Sequence, residues 1–200
     1  MEGSRVLDLG GTLVDELPSA VFGITTKRQI GNPVLLKSWK LPFKDSVFSF
    51  VVSYHYFDLI PFDKLGPVFS EIARVLQKDA VFSFMILLWA PQNEAQRSSL
   101  FFNELLRNTG ALYSHEFEDV TRHLSNSGFS EITVETIKRD IPVPRDYIRS
   151  HLLMLSNLVK KDSKEGGSGI RMFAKQYFSQ VNVHGEAMLP ALHFIARKMP

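Results

Sequence analysis

Residues 41–88 read LPFKDSVFSFVVSYHYFDLIPFDKLGPVFSEIARVLQKDAVFSFMILL, and their pattern decides the fold. Phe48–Tyr54 (FSFVVSY) is a short apolar run rich in Phe and Val, the composition of a strand buried on both faces. After Pro61 and Asp63 the apolar residues Leu65, Val68, Phe69, Ile72 and Val75/Leu76 recur at spacings of three and four, which predicts an amphipathic helix. Gln77-Lys78-Asp79 reads as a polar break, and 80–88 as a second buried strand. Strand, helix and strand of these lengths make a βαβ unit, so the two strands are expected to be parallel neighbours joined by a right-handed crossover.

Leu41-Pro42-Phe43, Asp45 and Phe48 before the first of these strands, and Glu71-Ile72-Ala73-Arg74-Val75-Leu76 in the helix, resemble the central block of class I S-adenosylmethionine-dependent methyltransferases. The nearest likeness is to the small-molecule type 11 group, which includes ubiquinone and menaquinone biosynthesis enzymes. Its block usually reads LPF-x-D-x-x-F-D, a strand, then E-x-x-R-V-L-K-P-G-G. The likeness covers about a quarter of the chain. It implies an α/β fold with a Rossmann-like, seven-stranded, mostly parallel sheet, and S-adenosylmethionine as cofactor.

Working back toward the N-terminus, 5–9 (RVLDL) predicts a strand ending at Gly10-Gly11-Thr12. A strand ending in Asp-x-Gly at a glycine-rich turn is similar to the first motif of that family, so Asp8, Gly10, Gly11 and Thr12 are expected at the methionine end of the cofactor. The usual Asp/Glu-x-Gly-x-Gly-x-Gly is cut short here, because Thr12, Leu13 and Val14 follow Gly11. Residues 20–25 (AVFGIT) predict the second strand. Thr25 stands where the family carries the acidic residue that binds the ribose hydroxyls, and it lacks the charge that strengthens such bonds. The third strand, 33–39, leads to Ser38 and Trp39, the residues left to meet adenine, with Lys37 where the family often has aspartate. Leu41, in the LPF turn, and Ser53, at the end of the fourth strand, complete the expected cofactor set.

The connections in this half are short. Residues 26–32 extend to only about 23 Å, enough to return along a strand but not with a helix inside. The first two crossover helices are therefore expected to be shortened or missing. A second copy of the chain, a protein partner or the C-terminal helices should cover the sheet near strands two and three.

The fourth strand ends at Ser53-Tyr54-His55-Tyr56-Phe57, the carboxyl edge where doubly wound sheets place their ligands. His55 is the candidate general base, and Tyr54 and Tyr56 the candidate walls of the methyl-transfer cleft, since aromatic faces attract cations. Farther on, helices are expected over 94–108 and 116–127, a half-exposed strand over 132–138, and helices from Asp146 to Val159 and over 170–180. A last strand over 192–198 should lie antiparallel at or near the sheet edge. Residues 141–190 are expected to be a helical insertion in a single 1–200 domain, roofing the substrate or covering the sheet. Tyr147 and His151 are its leading substrate-binding candidates, with Arg149, Phe173, Tyr177 and His184 behind them. The loop 160–169 (KKDSKEGGSG) is polar and glycine-rich.

Composition narrows the class. Apolar content of 44 % and a net charge of +2 are ordinary for one globular domain and call for neither nucleic acid nor membrane. The absence of cysteine excludes disulfides and thiolate chemistry and fits a cytoplasmic setting. No metal-ligand spacing occurs among the six histidines. The functional expectation is methyl transfer to a small molecule. The alternative is a catalytically inactive methyltransferase-like binding or assembly module, because the alternating glycines, the ribose carboxylate and the adenine aspartate are altered together.

Overall fold

The computed structural model of the protein describes residues 5–10, 21–24, 33–34, 40–164 and 169–200. Its strands are β1 (Val6–Leu9), β2 (Val21–Ile24), β3 (Pro33–Val34), β4 (Phe48–Tyr54), β5 (Leu76–Leu87), β6 (Phe129–Ile137) and β7 (Ala191–Lys198). They form one sheet in the order β3-β2-β1-β4-β5-β7-β6. β1, β2, β3, β4 and β5 pair in parallel, while β7 runs antiparallel to both β5 and β6. The expected lengths and fate of the first two crossovers fall on 11–20 and 25–32, outside the described residues.

The βαβ unit forms as its pattern dictates. Helix α1 (Phe62–Val75) buries Leu65, Val68, Phe69, Ile72 and Val75, the three–four stripe, against the sheet. The rings of Phe57, Phe69, Phe82, Phe84 and Phe194 meet there, with Phe82 and Phe84 on one face of β5 because they are two residues apart.

The residues that carry the family likeness hold one another. Arg74 gives its guanidinium to Glu71 Oε1 and Oε2, to Asp45 Oδ1 and to the carbonyls of Leu41 and Phe43. Glu71 Oε2 also accepts the Leu41 N–H at 2.9 Å. The planar fork of arginine suits this many acceptors, and the result clamps the LPF turn onto the end of α1. Hydrogen bonding from Arg74 holds the Glu71 carboxyl below its ordinary range and outweighs the opposing effect of burial. A carboxyl depressed in the folded state stabilises the fold above its unfolded pKa and loses that contribution as pH falls through the folded value. Glu71→Gln is therefore expected to cost about 1 kcal/mol at pH 7. The gap from the parent protein should narrow as pH falls through the depressed folded-state value, measured by urea unfolding at neutral pH and in acid. A gap that persists in acid would show that packing, not charge, holds the clamp.

Several boundaries differ from expectation. The polar break at Gln77-Lys78-Asp79 is part of β5, which starts directly at the end of α1 because Leu76 pairs with Phe48. Asp79 takes a φ of 59°, and carbonyls of this irregular stretch are met by Lys198 Nζ, on Leu76 O, and Arg197, on Asp79 O. β6 begins at Phe129 rather than 132, across a register irregularity between Ser130 and Thr133. β7 is antiparallel and near the sheet edge as expected, lying between β5 and β6, with β6 at the edge itself.

Two compact units make up the chain: Met1–Leu87, Tyr113–Ile137 and Ala191–Pro200 form one, Leu88–Leu112 and Lys138–Pro190 the other. The first holds the sheet, α1 and α3 (Phe117–Asn126). The second is helical, built from α2 (Glu94–Asn108), α4 (Arg145–Lys164) and α5 (Gly169–His184). The expected 141–190 insertion thus packs together with α2. α4 runs on to Lys164, into the stretch read as loop, and α5 runs four residues past its expected end. Phe102, Leu105, Leu155, Ala174 and Tyr177 form the core of this second unit. No described helix is long and apolar enough to cross a membrane.

Candidate active site

The carboxyl ends of β1, β4 and β5 bring together the polar residues of the first unit. β1 and β4 are in register, Asp8 opposite Val52 and Leu9 opposite Ser53. Asp8 is fully buried, and Gly10 turns the chain immediately after β1 with a φ of 100°, a conformation costly for any residue with a Cβ. Ser53 is buried, and its hydroxyl meets no hydrogen-bond partner among the described residues. Buried polar atoms in native folds are almost always satisfied, and this hydroxyl lies at the edge where open α/β sheets hold their ligands.

Two residues after Ser53 the chain reaches His55, whose φ of 60° is uncommon outside glycine and asparagine. Its N–H still bonds to Met85 O at 3.1 Å, and its ring meets Tyr54 edge-on at 4.4 Å. Nδ1 lies 2.7 Å from Asp58 Oδ2. Asp58, only 2 % exposed, also accepts the Leu87 N–H at the end of β5, at 3.0 and 3.2 Å. A carboxylate can only accept, so Nδ1 carries a proton toward Asp58, and in the neutral imidazole the lone pair is on Nε2.

The turn bearing this pair, Phe57–Leu59, is pinned from outside. Tyr113 N–H donates to Asp58 O at 2.8 Å, and His115 Nε2–H donates to Phe57 O at 3.0 Å. Burial lowers the affinity of His115 for a second proton, which keeps this strut neutral. The arrangement is an imidazole whose side chain is 20 % exposed, oriented by a buried carboxylate; an imidazole held this way is able to serve as a general base.

The other expected site residues divide. Tyr56 packs against the core beside Phe57, and burial raises its phenol pKa, so it stays a neutral hydroxyl. Leu41 is buried, with its N–H and C=O engaged by Glu71 and Arg74; it serves the clamp. Gly11, Thr12, Thr25, Ser38 and Trp39 lie outside the described residues. Asp58 was not among the expected site residues. The available signal was its spacing of three from His55 across one turn at a strand end.

Tyr147 and His151 belong to the second unit. Tyr147 is 64 % exposed at the start of α4. His151 stacks on Phe102 at 3.9 Å, and its Nδ1 lies 3.3 Å from Glu186 Oε2. The buried Glu186 also receives Tyr177 Oη–H at 2.7 Å and Ser99 Oγ–H at 3.1 Å. Burial alone would raise this carboxyl, but the bonds from His151, Tyr177 and Ser99 outweigh it and hold the pKa below the ordinary range. Burial and the bond to Glu186 push the Tyr177 phenol well above its own. Among the described residues no group of three or more histidine and carboxylate side chains is placed to hold a metal ion.

No family model matches the chain, and no curated protein matches it in sequence. Solved structures do match in fold. Phosphoethanolamine N-methyltransferase 2 of Haemonchus contortus, solved with phosphomonomethylethanolamine and S-adenosylhomocysteine, is similar at a TM-score of 0.58 and 15 % identity. The match covers 99 % of this chain and 49 % of that one. A SAM-dependent methyltransferase from Archaeoglobus fulgidus is similar at a TM-score of 0.58 and 14 % identity, over 98 % of this chain and 87 % of that one. The [4+2]-cyclase SpnF is similar at a TM-score of 0.56 and 15 % identity, over 98 % and 75 %. The chain spans about half the length of the Haemonchus protein. These likenesses show the fold, that of class I methyltransferases.

Proposed function

We propose that the protein is an S-adenosylmethionine-dependent methyltransferase acting on a small molecule, with His55 as general base and Asp58 as the residue that orients it. The observation that carries this reading is the Asp58–His55 pair, fixed at the carboxyl ends of β4 and β5 beside the unpartnered hydroxyl of Ser53. In an open α/β sheet that edge is where ligands sit. Asp8, Gly10 and Ser53 fit the methionine end of the cofactor: a buried acid, a close backbone turn and a hydroxyl in need of a partner. Gly11 and Thr12 are assigned to the same end, Thr25 to the ribose, and Ser38 and Trp39 to adenine.

The cofactor, when bound, supplies an electrophilic methyl group on a sulfonium. The chain's task is then to position an acceptor and to remove its proton. His55 Nε2 would accept the proton released from the acceptor's O–H or N–H. Asp58 meets the imidazolium that results, at the 2.7 Å contact already in place. Tyr54, whose ring meets His55 edge-on, is assigned to the wall of the methyl-transfer cleft.

Titration calorimetry with S-adenosylmethionine and S-adenosylhomocysteine tests the reading, and binding in the micromolar range is the expected result. Ser53→Ala removes a hydroxyl that bonds to nothing described, so it should leave the fold intact while weakening S-adenosylhomocysteine about three- to tenfold. Unchanged binding by that variant would remove Ser53 from the site. No binding at millimolar cofactor would leave the inactive module as the better reading, in line with Thr25 and Lys37 standing where the family carries carboxylates. Because a cyclase shares this fold, a methylated product is the decisive evidence for transfer.

A further inference from the structure

One buried titratable group close to the proposed base takes no part in the reaction. His115, in the connection before α3, is 7 % exposed. Its Nε2–H bonds to Phe57 O at 3.0 Å, across 58 residues of sequence, and the Ile60 N–H bonds to the same oxygen at 3.0 Å. Two residues earlier, the Tyr113 N–H holds Asp58 O at 2.8 Å. The Phe57–Leu59 turn has no side-chain cap at its start. The segment 113–115 thus fixes two consecutive carbonyls of the turn on which Asp58 stands. The other ring nitrogen of His115, Nδ1, is buried with no hydrogen-bond partner among the described residues.

We propose that His115 is a positioning residue for the His55–Asp58 pair and makes it acid-sensitive: the neutral ring holds the turn, and on taking a second proton it lets the turn go. The proposal rests on the reading of His55 as general base. A second proton would sit on Nδ1, where burial leaves it neither water nor a bonded acceptor. The ring reaches water only by leaving the Phe57 carbonyl. Burial is the largest influence on its charge and opposes it. The carbonyls of Phe57 and Ile60 and the Asp58 carboxylate favour the charged form, while His123 on α3 opposes it, and the net effect lowers the affinity for the proton. Released, the ring binds that proton more readily than when pinned. The pinned turn is therefore favoured above about pH 6.5, the ordinary histidine value, and loses that advantage as pH falls below it. A glutamine could donate to the same carbonyl but could not let go in acid.

Hydrogen exchange of the Tyr113 amide, followed by NMR on the full chain and expressed as a protection factor, tests the strut. In the parent, protection should fall at least about threefold between about pH 7.5 and about pH 5. His115→Gln keeps an N–H donor but cannot titrate, so its protection should stay level over that range. His115→Leu removes the donor. At neutral pH the His55 Nδ1–H tautomer of the parent and of His115→Gln should give way to a mixture of tautomers in His115→Leu, while circular dichroism shows the sheet still folded. The proposal is overturned if parent protection does not change with pH, if His115→Gln loses it as the parent does, or if a folded His115→Leu keeps the parent's His55 tautomer. Should His115→Leu fail to fold, the comparison of the parent with His115→Gln decides alone. No readout requires methyl transfer, so failure of that reaction would remove the base assignment and leave the strut standing.

Discussion

Phe84→Ala is expected to lower the stability of the sheet-bearing unit by about 4 kcal/mol, within the ~3–5 kcal/mol range for removing a core phenylalanine. Phe84 is the hub of the aromatic cluster. Its ring stacks on Phe82 at 4.6 Å and on Phe194 at 4.9 Å, and meets Phe57 at 4.8 Å and Phe69 at 5.7 Å. Four different segments therefore lose contacts at once: β5 itself, the turn after β4, α1 and β7. The hole is walled by other rings on the sheet and on α1, which cannot close in without breaking strand pairing, so the cavity contribution should be large. Phe84→Leu keeps most of the volume and should cost only about 1–1.5 kcal/mol. Urea unfolding followed by circular dichroism would measure both, read from the midpoint at unchanged slope. A loss below about 1 kcal/mol for the alanine variant would mean that the cluster repacks, contrary to a close-packed interior.

That cluster is legible in the sequence because its information is local. The alternation of Phe82 and Phe84 along a strand, and the three–four stripe from Leu65 to Val75, each specify one buried face through the geometry of a single element. The helix over 94–108 is equally plain, since Asn93 caps it by accepting the Gln96 N–H. What fails to show is what distant residues decide. The polar 77–79 stretch stays in β5 because Leu76 pairs with Phe48 and because Arg197 and Lys198, at the far end of the chain, satisfy carbonyls around it. The last strand is readable as a strand near the sheet edge, but nothing in its sequence shows that it pairs with both β5 and β6.

The candidate site divides in the same way. His55 stands out as a titratable residue at a strand end, and Asp8 and Gly10 as a strand-to-turn motif. Asp58 does not stand out, because its importance rests on burial and on the Leu87 N–H brought to it by the neighbouring strand. His151 is suggested by its place on a helix, yet the partners that define its environment, Tyr177 and Glu186, are 26 and 35 residues farther along. An acid in the connection after α5 gives no local sign that it will be buried under three donors.

His55→Ala is expected to reduce kcat by about 10²–10⁴ while leaving cofactor affinity within about twofold, since a general base contributes to the proton-transfer step and not to holding the donor. Asp58→Asn is the sharper probe. The asparagine oxygen can still accept the Leu87 N–H, so the turn should keep its shape. Its amide would then donate toward His55 Nδ1, which must become the lone-pair nitrogen and leave the proton on Nε2, facing the acceptor. An imidazole in that tautomer cannot take the acceptor's proton, so kcat should fall about 10²-fold or more in Asp58→Asn. If the two residues act as one unit, the double variant should be no slower than His55→Ala alone. Retained activity in Asp58→Asn together with an unchanged pH profile would mean that the pair only braces the end of β4, and the acceptor's proton would then have to leave by another route.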